Sequence, residues 1–318
     1  MTLWLSMAAG LAMLAVGGDI LVRGAASAAR RLGVSPLLIG LTVVGFGTSA
    51  PELVTSLQAA FADSPGIAVG NVVGSNISNV LLILGVTALI APLAVDQRAF
   101  RRDAIMLALA TAGLAWAVLQ GRLTREMGLV AVALLLIYLL VVWMSERRRP
   151  DPEGERIADS GRGPAKSAPS LWMALPMAAA GIAITVYGAQ LLVSGAIKVA
   201  HDFGVSDTMV GLTIVALGTS LPELVTSVVA ALRKQGEVAL GNVVGSNLYN
   251  ILGILGVTAA IKPIDVPPAI ARLDIWILAG ATAAMILFAR RRGKITRGEG
   301  LMLITGYAAY IGWLVWTA

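Results

Sequence analysis

The sequence predicts an all-α polytopic membrane protein: ten transmembrane helices, arranged as two five-helix repeats of inverted topology. Three observations carry this expectation. Of 318 residues, 57% are hydrophobic and only 13% charged, where a soluble domain carries roughly 25% charged residues. Residues 47–85, GTSAPELVTSLQAAFADSPGIAVGNVVGSNISNVLLILG, return at 218–256 as GTSLPELVTSVVAALRKQGEVALGNVVGSNLYNILGILG, at a constant offset of 171 residues and without a gap. Each copy places one glutamate, Glu52 or Glu223, in a stretch otherwise apolar enough to lie in a membrane. Matching ionisable residues in two halves are the pattern of a protein with a site at the repeat interface.

Ten segments reach the roughly 20 residues needed to cross a hydrocarbon core. In the first half (1–145) they fall near 3–29, 35–61, 66–91, 102–120 and 126–145; in the second (171–318), near 171–200, 206–232, 237–261, 273–290 and 299–317. Between the halves, residues 146–170 read ERRRPDPEGERIADSGRGPAKSAPS. This stretch is polar, rich in Pro, Gly and Ser, and aperiodic, which predicts a linker. A secretion signal opens on positive charge, whereas the first basic residue here is Arg23. The opening apolar stretch is therefore expected to remain as a span.

Five spans per repeat is an odd number, so the second copy must enter the membrane the other way up. With the N-terminus outside, 18 basic residues fall on the cytoplasmic side: Arg30, Arg31, Arg98, Arg101, Arg102, six in the linker, Arg233, Lys234 and five between Arg290 and Arg297. Five fall outside: Arg122, Arg125, Lys198, Lys262 and Arg272. That bias predicts both termini outside and the linker in the cytoplasm of a multi-pass cell-membrane protein. The net charge of +6 thus reflects membrane orientation, and no basic, aromatic-interleaved face suggests nucleic acid. There are no cysteines, which excludes disulfides, thiol catalysis and thiolate metal sites. The repeat extends further: Gly40-Leu41-Thr42 matches Gly211-Leu212-Thr213, Arg102-Asp103 aligns with Leu273-Asp274, and GRLTR at 121–125 matches GKITR at 293–297.

In Gly47-Thr48-Ser49-Ala50-Pro51-Glu52, proline lacks an N–H and clashes with the carbonyl four residues earlier. Pro51 should free the carbonyl of Gly47, and Pro222 that of Gly218. Free carbonyls at membrane depth are tolerated only where they line a cavity or are buried in protein. Thr48 and Glu52 are spaced i,i+4 and are expected to share a helical face. Freed carbonyls, hydroxyls and a carboxylate are all oxygen donors, suited to hard cations such as Ca²⁺ and Na⁺. The following span carries Asn71, Ser75 and Asn79 at four-residue spacing, repeated as Asn242, Ser246 and Asn250.

Plainer readings exist for several of these features. Glycines at 66, 70 and 74 suit close helix packing, and the Asn/Ser stripe suits interhelical hydrogen bonding. The prolines could simply kink their helices. Asp19 and Arg23, at i,i+4 on the first span, suggest a local ion pair not repeated at Gln190 and Ser194. His201 falls at a span end and Asp207 at a helix start. The glutamates resist such readings. A charge at mid-bilayer costs about 2.5–3.5 kcal/mol even on the insertion scale, and no lysine or arginine lies near either in sequence.

At GTSxPE followed by GNVVGSNxxN, present in both halves, the chain resembles the cation/Ca²⁺ exchanger superfamily, and within it the prokaryotic Na⁺/Ca²⁺ antiporters. The resemblance implies a compact site from helices 2, 3, 7 and 8. By that likeness Glu52 and Glu223 are the central Ca²⁺ ligands, with the carbonyls of Thr48 and Thr219. Flanking Na⁺ sites use Ser49 with Ser246 and the carbonyl of Gly45, and Ser220 with Ser75 and the carbonyl of Ala216. Asn79 and Asn250 take the middle position. Long, tilted helices 1 and 6 slide across the rest in this family. Some relatives carry an aspartate where this chain has Asn79 or Asn250. With amides at both, the site holds two formal negative charges, enough for one Ca²⁺ or two Na⁺; a third Na⁺ would rest on dipoles. K⁺ co-transport is not expected, since the K⁺-dependent branch tends to carry acid there.

The expected function is secondary antiport of Ca²⁺ against Na⁺, with the ions competing for Glu52 and Glu223; the chain is not expected to be an enzyme or to need a cofactor. Its partners are the two ions and the bilayer, and the sequence leaves the oligomeric state open. H⁺/Ca²⁺ exchange is the nearest alternative, because protonated glutamates are also neutral, although the repeated hydroxyls suit Na⁺ better. A passive channel usually repeats its filter by oligomerisation around the pore. A membrane hydrolase has little support, since neither an HExxH nor a nucleophile elbow is present.

Overall fold

The computed structural model describes residues 2–147, 170–202 and 216–317. Most of the linker, Asp207, the start of the span expected at 206–232 and Gly211-Leu212-Thr213 lie outside the described residues, as does the side chain of His201. The described residues are helical almost throughout. Helix α1 covers Thr2–Leu32. Helix α2 is a bent pair, Pro36–Thr48 and Ala50–Phe61, with an angle of 44° between its arms. Helices α3 (Pro65–Ile90), α4 (Gln97–Leu119) and α5 (Arg125–Arg147) complete the first half. The second half contains α6 (Leu171–Asp202), α7 (Ala216–Thr219 and Leu221–Leu232), α8 (Gly236–Ile261), α9 (Ile270–Arg292) and α10 (Arg297–Thr317). Among the described residues seven helices are long and apolar enough to cross a membrane, and the bent pair makes an eighth.

Burial sorts these helices. In α3 and α8, 72% and 78% of the most apolar window is buried, against 22% in α5 and 28% in α6. Helices α3 and α8 therefore form the centre, and the outer helices turn Leu, Ile, Val and Trp side chains outward. Such a surface would be unstable in water, but in lipid it carries no penalty.

Close approach at the centre depends on missing side chains. A Cβ on Gly40 would strike the backbone of Val238, and one on Gly245 the carbonyl of Leu41. The first arm of α2 thereby lies backbone to backbone against α8. Helices α1 and α6 pack along a second seam. It is formed by Gly10, Gly17 and Gly24 on one side and Gly181, Gly188 and Gly195 on the other, each set spaced by seven residues. A Cβ on Gly17 would sit 2.6 Å from the hydroxyl of Thr185, and one on Gly10 2.8 Å from the carbonyl of Gly188. Small residues bring membrane helices together this way.

Two features were not predicted. Four two-residue strands form two clips: β1 (Leu93–Ala94) pairs antiparallel with β4 (Lys294–Ile295), and β2 (Arg122–Leu123) with β3 (Ile264–Asp265). Both tie one half to the other, and the GRLTR and GKITR motifs supply β2 and β4. The helices also widen into π-helix at Gly40–Val44, Asn79–Ile83, Tyr249–Ile254 and Ile270–Asp274. Helix α4 starts at Gln97, five residues before the expected span, because the side chain of Asp96 accepts from the backbone N–H groups of Arg98 and Ala99 at 2.9 and 3.3 Å. A hydropathy reading misses such a charged, capped first turn.

Candidate cation-binding site

Helix α2 breaks at Ser49 and α7 at Ser220, each with nearly flat ψ (7° and 3°), and each restarts with proline in its first turn. The glutamates follow at once, in the first turns of Ala50–Phe61 and Leu221–Leu232. The break thus gives each carboxylate a helix N-terminus inside the protein, where unpaired N–H groups and the helix dipole favour negative charge. Both side chains are 1% exposed. Among the described residues neither has an ion-pair partner.

The bonds cross between the halves. Ser49 Oγ donates to Glu223 Oε1 at 3.1 Å, and Ser220 Oγ to Glu52 Oε1 at 3.5 Å. Thr48 and Thr219 stand in the last turn before each break. The expectation that Thr48 and Glu52 share one face assumed an unbroken helix, and the helix breaks between them at Ser49. Thr48 Oγ1 contacts the Val44 carbonyl at 3.1 Å and Asn242 Oδ1 at 3.3 Å.

The asparagine stripe divides in two. Asn71 Nδ2 donates to the Glu52 carbonyl at 3.1 Å and to Ser56 Oγ at 2.9 Å; Asn242 Nδ2 does the same with the Glu223 carbonyl at 3.2 Å and Ser227 Oγ at 2.9 Å. These two brace the glutamate-bearing turns. Asn79 and Asn250, where the helix widens, are 1% exposed and sit at the centre. Asn79 Nδ2 donates to Asn247 Oδ1 at 3.0 Å. Ser246 Oγ donates to the Gly45 carbonyl at 3.4 Å, which joins two of the residues expected in one flanking site. Ser75 is buried on α3, which packs against the Ala216–Thr219 turn of the other expected site; the side chain of Ala216 lies outside the described residues.

Among the described residues, the buried oxygens here without a hydrogen-bond partner include four: Glu52 Oε2, Glu223 Oε2, Asn79 Oδ1 and Asn250 Oδ1. Leaving a buried acceptor unpaired costs about 1–3 kcal/mol, and four together mark a place built to be filled. All four are oxygen acceptors, which suit a hard cation, while Asn247 Nδ2 is a buried donor that also has no partner among the described residues. Asp103, buried, and Asp274, half-buried, each take a partner of another kind, a tyrosine from a neighbouring helix. Asp103 accepts from Arg102 Nε at 2.6 Å and Tyr138 Oη at 2.8 Å, and Asp274 from Tyr310 Oη at 2.9 Å. These acids tie α4 to α5 and α9 to α10. The expected Asp19–Arg23 pair forms at 2.9 Å, and Arg233 of α7 joins Asp19 as well.

Ser56, Ser227, Asn76 and Asn247 belong to the buried polar cluster but were not singled out from sequence. Ser56 and Ser227 lie four residues after their glutamates in both copies, a spacing that could have identified them.

A polytopic helical protein with oxygen donors from two broken helices around paired glutamates belongs to the membrane ion-transporter class. The family of sodium/calcium exchanger proteins matches residues 2–144 and 173–316, and the chain belongs to that family. It is 39% identical over 307 residues to a protein named as an antiporter, CaxA of Alkalimonas amylolytica, covering 95% of each. It is 33% identical over 340 residues to the sodium/calcium exchanger MaX1 of Methanosarcina acetivorans, again covering 95% of each. Among solved structures, the sodium-calcium exchanger NCX_Mj soaked with 2.5 mM Na⁺ and 0.1 mM Ca²⁺ superimposes with a TM-score of 0.83 at 32% identity, covering 98% of both chains. The family is one of exchangers, not enzymes.

Proposed function

We propose that this protein exchanges Ca²⁺ for Na⁺ across the cell membrane by alternating access, with both ions competing for one site centred on Glu52 and Glu223. The observation that carries the proposal is the cross-bonded pair of glutamates, each with a buried oxygen that has no hydrogen-bond partner among the described residues. Two carboxylates neutralise one Ca²⁺ or two Na⁺, so the ions cannot be held together at full charge. An empty site would drag two bare carboxylates through a dry occluded state at a large desolvation penalty. That penalty suppresses uncoupled return and makes transport an exchange. The Thr48, Thr219, Ser49, Ser220, Ser75 and Ser246 oxygens, with Asn79, Asn250 and the Gly45 and Ala216 carbonyls, complete the shell.

The clips support ten spans in two inverted repeats. Residues 93 and 264 are counterparts in the two halves, yet Leu93 pairs with Ile295 and Ile264 with Leu123. Leu93 and Leu123 flank opposite ends of α4, so the counterparts lie at opposite faces, as inversion requires. By this reading both termini are outside and the linker is cytoplasmic. The glycine seam makes α1 and α6 one paired unit able to slide over the α2, α3, α7 and α8 core.

The test is uptake of radiolabelled Ca²⁺ into proteoliposomes loaded with Na⁺. We expect uptake to require the outward Na⁺ gradient. Uptake driven by a pH gradient alone would replace Na⁺ by H⁺ as the coupling ion, and Ca²⁺ flux needing no counter-ion would indicate a channel.

A further inference from the structure

Helices α4 and α9 run antiparallel along the outside of the bundle. Gln97 Nε2 at the start of α4 donates to the Ala289 carbonyl near the end of α9 at 2.7 Å, and at the other end Val266 N donates to the Gly121 carbonyl at 2.9 Å. Between them lies a groove of about 700 Å³, within the roughly 300–1,000 Å³ range of ligand sites. Its walls are mainly small side chains, among them Ala112 and Ala283, both exposed. Large apolar side chains such as Leu109, Trp116 and Trp276 are exposed on the same two helices, so this side of the bundle is turned to lipid.

One end of the groove is lined by Arg290 and Arg291, both exposed and with no ion-pair partner among the described residues. The Gln97–Ala289 bond brings the first turns of α4, with Arg98 and Arg101, to the same end. Arg101 precedes Ala108, a lining residue, by two helical turns and so shares its face. The counterparts of Arg290 and Arg291 in the first half are Leu119 and Gln120. The positive charge is therefore an addition at one end, not part of the repeated core.

We propose that this groove binds an anionic phospholipid, with its acyl chain against the alanine walls and its phosphate on Arg290 and Arg291. Basic pockets between membrane helices hold anionic head groups in this way. Charge complementarity favours lipid over a second copy of the chain. A helix–helix contact here would bury the arginines opposite an acid, and the carboxylates of these two helices, Asp103 and Asp274, are already engaged by Tyr138 and Tyr310.

The test is native mass spectrometry of the purified full chain with phosphatidylglycerol and phosphatidylcholine in competition. Phosphatidylglycerol should be retained preferentially. The double substitution Arg290→Gln, Arg291→Gln should cut its retention by roughly tenfold or more, as expected for two cations at a charged surface. Filling the groove with Ala112→Leu and Ala283→Leu, arginines intact, should lower retention of both lipids. Equal retention of the two lipids, or arginine variants that bind as the parent does, would overturn the proposal. So would a dimer that only the groove-filling variant dissociates, which would make the groove an interface between copies.

Discussion

Around the two glutamates the halves of the molecule carry the same bonds. Ser49 reaches Glu223 as Ser220 reaches Glu52, and Asn71 and Asn242 each hold their own glutamate's carbonyl and the serine four residues beyond it. Towards the edges the halves part company. Asp19 pairs with Arg23 and Arg233, while its counterpart is Gln190; Asp63 pairs with Lys262 at 2.7 Å, while its counterpart is Lys234. The difference follows from dielectric environment. At the centre each unpaired polar atom costs about 1–3 kcal/mol, so matching positions demand matching side chains. At the surface an ion pair contributes about 0–1 kcal/mol, and either half can change alone.

The comparison breaks most completely at the glutamates. Glu52→Gln or Glu223→Gln should abolish Ca²⁺ exchange in proteoliposomes, a loss of more than about 100-fold, while the protein still elutes as a folded species. A single-site loss in either half with equal effect would sharpen the equivalence; robust exchange by either variant would end it. Next in size is the unequal pair of aspartates, Asp103 buried and Asp274 half-buried. Asp103→Asn breaks a buried pair with Arg102 and should destabilise by about 3–5 kcal/mol. Asp274→Asn leaves one tyrosine bond and should cost about 1–3 kcal/mol. Thermal unfolding in detergent checks the order, and equal losses would contradict the distinct partners seen here.

A smaller effect is expected at the centre's amides. Asn250→Asp adds a third negative charge beside the glutamates and should change the Na⁺ concentration for half-maximal exchange or its pH profile. An unchanged titration on both axes would make Asn250 a bystander. The smallest effect belongs to the edge. Asp19→Asn releases Arg233 from α1, and with all three groups partly exposed the change should stay within about 1 kcal/mol. It should therefore alter apparent Ca²⁺ affinity by no more than about fivefold, read as a difference between the two sides of the membrane.

Much of this was legible in the sequence because membrane spans and a gapless repeat leave direct marks. The proline in each first turn predicted the broken helices, and the isolated glutamates stood out because charge is rare in apolar spans. What stayed hidden depended on rotation and contact. The i,i+4 spacing of Thr48 and Glu52 suggested one face, but the helix breaks between them at Ser49. The π-helical widening at Asn79 and Tyr249 has no composition signal. The strand clips are two residues long, too short for any alternation to register. The glycine seam between α1 and α6 was readable in principle at 10, 17 and 24 and again at 181, 188 and 195, but its spacing of seven passed unseen beside the spacing of four at 66, 70 and 74.

The central claim is one shared site, and equilibrium binding of radiolabelled Ca²⁺ to the purified protein at rising Na⁺ tests it most directly. The account predicts that Na⁺ displaces Ca²⁺ completely, and that Glu52→Gln and Glu223→Gln each lose Ca²⁺ binding at every Na⁺ concentration. Ca²⁺ that stays bound in saturating Na⁺, or that binds either variant as it does the parent, would contradict it.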